Sequence, residues 1–156
     1  MTLSAVDVVR PSVSHYEVSL ATDFGNFMVS MGLYTDNTFN TLYIGQVSIS
    51  VPEPIYVGIE LTGTTEFVVT LDRCWATATS NPSDTKRYEF ITNQCGDLAE
   101  LNDYQTLQIF ATGTGQKASF SMNAFSFNGI AGGGEIYFHC DVRNILIHIL
   151  YLYIIQ

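Results

Sequence analysis

Residues 54–76 read PIYVGIELTGTTEFVVTLDRCWA, and the rhythm of their side chains decides the fold. Ile55, Val57, Ile59 and Leu61 recur at every second position, with Tyr56, Gly58 and Glu60 between them. Successive side chains of a strand point to opposite faces, so this is a strand with one apolar face. Leu61-Thr62-Gly63 turns the chain, and Phe67, Val69, Leu71 and Trp75 resume the pattern. Trp75 is therefore expected on the same buried face as Val69 and Leu71.

The alternation extends in both directions. Upstream are Tyr16, Val18 and Leu20, then Phe27, Val29, Met31 and Leu33, then Val47, Ile49 and Val51 before Pro52-Glu53-Pro54. Downstream are Leu107 with Ile109, Phe120 with Met122, and Ile136, Phe138, Cys140 and Val142. No window of about 11 residues or more carries a helical stripe. Short strands separated by turns rich in Gly, Asn, Asp and Ser predict an all-β chain folded as a β-sandwich. One slip of phase stands out. Ala118, Phe120 and Met122 are even-numbered, whereas Phe125 and Phe127 are odd-numbered. A strand cannot change face without an extra residue, so a β-bulge is expected near Asn123-Ala124. Residues 77–84, 96–103 and 129–134 read as loops.

Composition narrows the function. Charged residues make up 13% of the 156, about half the usual share of roughly 25%. The net charge is −9, and the one adjacent basic pair is Lys86-Arg87. That balance excludes nucleic-acid binding and docking on anionic membranes. The first residues lack a basic segment and Asp7 interrupts their apolar run, unlike a signal peptide. Near the other end, Ile145 to Ile155 reads ILIHILYLYII, shorter than the roughly 20 residues that span a bilayer.

Candidate chemistry is sparse. His139 and Cys140 are neighbours on a strand, so they face opposite ways and the imidazole cannot readily activate the thiol. No nucleophile elbow, zinc-protease motif or phosphate loop occurs. The acidic loop of Asp97, Glu100 and Asp103 lacks the register of a calcium loop and reads as solvated. Asn81, the one asparagine with Ser or Thr two residues on, is followed by Pro82, so no N-x-S/T sequon is usable. The cysteines, Cys74, Cys95 and Cys140, form no CxxC pair and allow at most one internal disulfide.

Two ordered boxes give the reading a direction. The first is Cys74-Trp75-Ala76-Thr77, followed by Asn81-Pro82, Tyr88 and Ile91 to Cys95. The second is Phe125-Ser126-Phe127-Asn128-Gly129, followed by Tyr137-Phe138-His139-Cys140-Asp141-Val142. With FMVSMGLY at 27–34 and PIYVGIEL at 54–61, they resemble the C-terminal half (ZP-C) of the zona pellucida (ZP) domain family, in its uromodulin- and tectorin-like branch.

The resemblance implies an immunoglobulin-like sandwich over residues 24–143. It makes residues 1–23 the remnant of a last N-terminal-half strand plus linker, and 144–156 an apolar tail outside the family pattern. It implies a disulfide between Cys74 and Cys140, with Cys95 unpaired or joined to a cysteine further downstream, and Trp75, Phe125 and Phe127 as structural core. It implies no catalytic residue, no metal, no cofactor and no small-molecule substrate. The expected role is a structural or interaction module of a secreted or membrane-tethered glycoprotein, associating with itself or with other ZP-domain proteins. A carbohydrate-binding sandwich is the alternative. Neither the N-terminal half of the domain nor the family's next cysteine is present, so the reading expects a piece of a longer protein. Because the family ends its last strand near Val142, Leu146 to Ile155 is expected to pair with another chain.

One conflict arises within this reading. Alternation sets Cys140 on the apolar face with Phe138, but sets Cys74 with Thr70 and Asp72, opposite Leu71. A disulfide needs Cβ atoms about 4 Å apart. Either a bulge near Arg73 turns Cys74 inward, or the outer face of the sheet is covered as well.

Overall fold

The computed structural model describes residues 8–13, 18–22, 25–63, 65–93, 95–96, 106–127 and 134–146. Among these no helix occurs, and none is therefore long and apolar enough to cross a membrane. The described residues form eleven strands in two sheets. The larger consists, from edge to edge, of β4 (Ile49–Ser50), β1 (Val8–Val13), β11 (Glu135–Leu146), β6 (Phe67–Thr77), β7 (Arg87–Thr92) and β8 (Cys95–Gly96). The smaller consists of β2 (Val18–Thr22), β3 (Gly25–Tyr34), β5 (Pro54–Thr62), β10 (Lys117–Asn123) and β9 (Gln108–Ala111). All pairs are antiparallel except β1 with β11. The chain is an all-β, immunoglobulin-like sandwich.

The core lies between the sheets. From the smaller sheet it takes Ile55, Val57, Ile59 and Leu61 of β5 and Ala118, Phe120 and Met122 of β10. The larger sheet answers with Val69, Leu71, Cys74 and Ala76 of β6, Phe90 and Ile91 of β7, and Ile136 and Phe138 of β11. Phe90 is central. Its ring centroid lies 5.2 Å from that of Phe120 and 6.1 Å from that of Phe138, both edge-to-face or tilted geometries that aromatic quadrupoles favour.

The inward set of β6 changes from odd to even numbers between Leu71 and Cys74, and the register shows how. Leu71 opposes Val142 and Arg73 opposes Asp141, so Asp72 is an extra residue in the register, its carboxylate reaching Arg143 of β11 at 3.1 Å. This bulge turns Cys74 inward and turns Trp75 outward. The expectation that Trp75 shares the face of Val69 and Leu71 is thus corrected, because alternation does not survive an extra residue. A second bulge lies in β7, where Cys74 opposes Ile91 but Trp75 opposes Glu89, so Phe90 and Ile91 are both buried.

The slip expected at Asn123-Ala124 has another cause. β10 ends at Asn123, and Ala124 to Phe127 continue outside any strand, with the Ala124 amide donating to the Glu53 carbonyl at 2.7 Å. The bulge in that hairpin falls on β9, at Phe110, between the Ala111–Ser119 and Ile109–Phe120 pairs.

The ends of the sandwich also differ from the sequence reading. Residues 8–13 form β1 between β4 and β11, and 18–22 form β2 beside β3, both within the segment 1–23 expected to precede the sandwich. At the other end β11 does not stop near Val142. It continues to Leu146, which opposes Phe67. Residues 147–156, where most of the expected intermolecular tail falls, lie outside the described residues. The two sheets are tied together at the turn after β9. There the Gly113 amide donates to the Val69 carbonyl at 2.8 Å, and the Val69 amide to the Gly115 carbonyl at 2.9 Å.

Candidate interaction surfaces

On the larger sheet, Cys74 and Cys140 stand opposite each other on adjacent strands and are joined by a disulfide, with Cα atoms 4.2 Å apart. Directly opposed residues of a non-hydrogen-bonded antiparallel pair approach to about 4.5 Å, so register and bridge agree. Cys74 is fully buried. The backbone of Cys95 pairs with Thr92, but its side chain lies outside the described residues.

The outer face of the same sheet carries Trp75, which is only 7% exposed although it points away from the core. Its ring stacks on His139, the residue opposite it on β11, at 5.5 Å between centroids. The guanidinium groups of Arg73 and Arg87 lie over it at 4.7 and 5.3 Å. Both arginines donate to Oε1 of Glu89, which faces Trp75 from β7, and the Arg73 hydrogen bond holds the Glu89 carboxyl below its usual range. The fourth wall is the 78–86 loop, whose Pro82 carbonyl accepts from Trp75 Nε1 at 2.9 Å. Local bonds shape that loop: Asn81 Oδ1 accepts from the Ser83 amide, and Asp84 accepts from the Lys86 amide and the Thr79 hydroxyl. The Asn-Pro-Ser-Asp run that precludes a sequon at Asn81 thus forms a turn that caps the tryptophan.

Beneath Trp75, the proton of His139 is fixed by its neighbour. Thr77 Oγ1 donates its single proton to the Thr79 carbonyl at 2.6 Å, so at 2.7 Å from His139 Nε2 it can only accept. Nε2 therefore carries a proton and donates it to Thr77 Oγ1. Burial, and secondarily the charge of Arg87, hold the imidazole pKa below the ordinary 6.5. The unfolded chain takes up a proton near 6.5 that the folded chain resists. Stability from this site is therefore full above that pH and is lost as pH falls toward the folded-state value. Urea unfolding at pH 7.5 and pH 5.5 is expected to show lower stability at the acid end, with His139→Gln reducing the difference. An equal difference in both proteins would assign the pH effect elsewhere.

The smaller sheet carries a different feature. Between β3 and β4, residues 35–46 fold back over the outer face. Tyr34 and Leu42 form a β-bridge, the Thr35 amide donates to the Thr41 carbonyl at 2.9 Å, and the Tyr43 amide to the Leu33 carbonyl at 3.0 Å. Phe39 anchors the loop. It is buried in a left-handed conformation (φ 53°), and its ring meets Tyr34, Tyr56 and Phe110 at centroid distances of 5.6, 6.0 and 5.2 Å. A bulky residue adopts that conformation only where its surroundings hold it. Gly32 and Gly58, opposed on β3 and β5, make the room. A Cβ on Gly32 would lie 2.5 Å from Leu42 Cδ2, and one on Gly58 would lie 2.5 Å from Tyr34 Cε2. The loop thereby presents Leu42, Tyr43 and Ile44 to solvent, at 52%, 41% and 99% exposure.

Of the remaining residues singled out in the sequence, Phe125 is buried and Phe127 is half-buried against the core; their rings meet edge-to-face at 5.3 Å. The loop holding Asp97, Glu100 and Asp103 lies outside the described residues. Among the described residues no group of three or more His, Cys, Asp and Glu side chains is placed to hold a metal ion. Sequence reasoning missed the apolar loop at 42–44, because nothing in TFNTLYIGQ separates an exposed Ile from a buried one.

The fold is a two-sheet, immunoglobulin-like β-sandwich with a cross-strand disulfide in its larger sheet. The zona pellucida family model, in its ZP-C domain, matches residues 23–146. The chain belongs to that family. It is 32% identical to rat uromodulin over 145 residues, 29% identical to human alpha-tectorin over 143, and 31% identical to human pancreatic secretory granule membrane major glycoprotein GP2 over 147. These alignments cover 91%, 90% and 92% of this chain, but 21%, 6% and 26% of the relatives, so the chain spans no more than about a quarter of these proteins.

Proposed function

We propose that this chain is a non-enzymatic contact module of a secreted or membrane-tethered extracellular glycoprotein, and that it acts by associating with copies of itself or with other ZP-type modules. Family membership supports the class. The observation that carries the contact role is the 42–44 loop, which Phe39 and the two glycines seat so that Ile44 is almost wholly exposed and Leu42 and Tyr43 about half. Solvent-exposed apolar groups fixed on a rigid scaffold bury area on association without an added cost of ordering.

The test is sedimentation velocity on the chain and on Ile44→Asp across the micromolar range. Ile44 is almost fully exposed, so the substitution is expected to change stability by less than about 0.5 kcal/mol. It is expected to weaken self-association at least about tenfold, roughly 1.4 kcal/mol. A chain that stays monomeric throughout and binds a defined glycan would instead support the carbohydrate-binding reading.

A further inference from the structure

Asn93-Gln94-Cys95 is the one place in the chain where an asparagine has a cysteine two residues on. Apart from Asn81, which Pro82 disqualifies, no other asparagine has Ser, Thr or Cys at that position. Asn-x-Ser/Thr is an acceptor because the hydroxyl two residues on is recognised when a glycan is transferred to the asparagine amide. A thiol stands at the same position on the same Cβ and is a weaker hydrogen-bond donor.

The structure gives Asn93 the placement such an acceptor needs. Ile91 opposes Gly96 and Thr92 opposes Cys95, so residues 93 and 94 are the whole link between β7 and β8. Asn93 is exposed and has a φ of 49°, the left-handed conformation that Asn tolerates better than other residues with a side chain. β8 is the outermost strand of the larger sheet. A bulky, hydrated group on this turn would displace no packed side chain and would stand beside a sheet edge that otherwise invites pairing.

We infer that Asn93 is an N-glycosylation site of the thiol type, with a lipid-pyrophosphate-linked oligosaccharide as the co-substrate. In the transfer, the bond between the sugar C1 and the pyrophosphate oxygen breaks, and a bond from C1 to Asn93 Nδ2 forms. The amide loses a proton and the lipid pyrophosphate leaves. The chemistry also orders two events. A cysteine in a disulfide has no S–H, so the glycan is added while Cys95 is reduced, before that residue enters any disulfide. Occupancy is accordingly partial.

The inference rests on the extracellular reading only in requiring entry to the secretory route, and the test supplies that entry. The full 156-residue chain, behind a cleavable secretion leader, is translated with microsomes, and the product is compared by gel mobility before and after treatment with an amide-cleaving glycosidase. The unaltered chain is expected to give a glycosidase-sensitive fraction. Cys95→Thr is expected to raise that fraction several-fold, while Cys95→Ala and Asn93→Gln abolish it. None of these readouts depends on folding. Glycosylation of Cys95→Thr alone would overturn the thiol acceptor, and no modification of either protein would overturn the site. Neither outcome would bear on whether the native protein is extracellular.

Discussion

Replacing Cys74 and Cys140 together by alanine is expected to lower folding stability by about 4 kcal/mol, the chain-entropy value for a closed loop of their 66-residue separation. For a domain of this size that is a fall in melting temperature of roughly 8–16 °C. Alanine is the appropriate replacement because Cys74 is fully buried, and a serine hydroxyl there would add the cost of an unsatisfied polar group. The bridge joins β6 to β11, the two central strands of the larger sheet, so its loss acts on the pairing that carries both the Phe90 core and the Trp75 face. Thermal melts of the two proteins decide the matter. A loss below about 1 kcal/mol, the scale of an ordinary surface change, would mean that residual structure already confines the unfolded chain as much as the bridge does.

Trp75→Ala is expected to cost about 3 kcal/mol, the lower end of the range for a large aromatic removed from a packed site. The site explains why the lower end applies. Trp75 lies on the outer face under Arg73 and Arg87, so water can enter the space it leaves, which it cannot do between the sheets. Trp75→Phe separates the contributions. It keeps a ring for His139 to stack on while removing the Nε1 bond to Pro82 and the pyrrole part of the indole, and is expected to cost about 1–2 kcal/mol. Denaturant unfolding followed by circular dichroism gives both numbers, since the chain's single tryptophan is itself the altered residue. Equal losses in the two variants would show that the hydrogen bond, not the stacked ring, holds the 78–86 loop in place.

What could be read in advance followed from local periodicity. The alternation at Ile55, Val57, Ile59 and Leu61 and at Ala118, Phe120 and Met122 placed inward faces that the sandwich buries, because nothing interrupts those strands. Where a bulge intervenes, periodicity fails by one residue and every later side chain changes side. This is the case for Trp75 after the bulge at Asp72. The sequence reading named the bulge near Arg73 as one way to bring Cys74 inward. It could not choose it over a covered outer face, and the structure has both: Cys74 turns in, and Arg73, Arg87 and the 78–86 loop cover the face to which Trp75 turns out.

The sequence by itself therefore determined the all-β class, the apolar faces of the uninterrupted strands and the two cysteine boxes of the ZP-C family. These depend on residues near one another in the chain. Tertiary structure decided the rest. The parallel pairing of β1 with β11 joins segments more than a hundred residues apart, and no local pattern encodes such a register. The role of Gly58 appears only when Tyr34 lies across it. The exposure of Ile44 follows from Phe39 anchoring its loop on Tyr34, Tyr56 and Phe110, contacts assembled from four separate segments. An apolar residue carries no local mark of whether it faces core or solvent; that is settled by what the rest of the chain brings to lie against it.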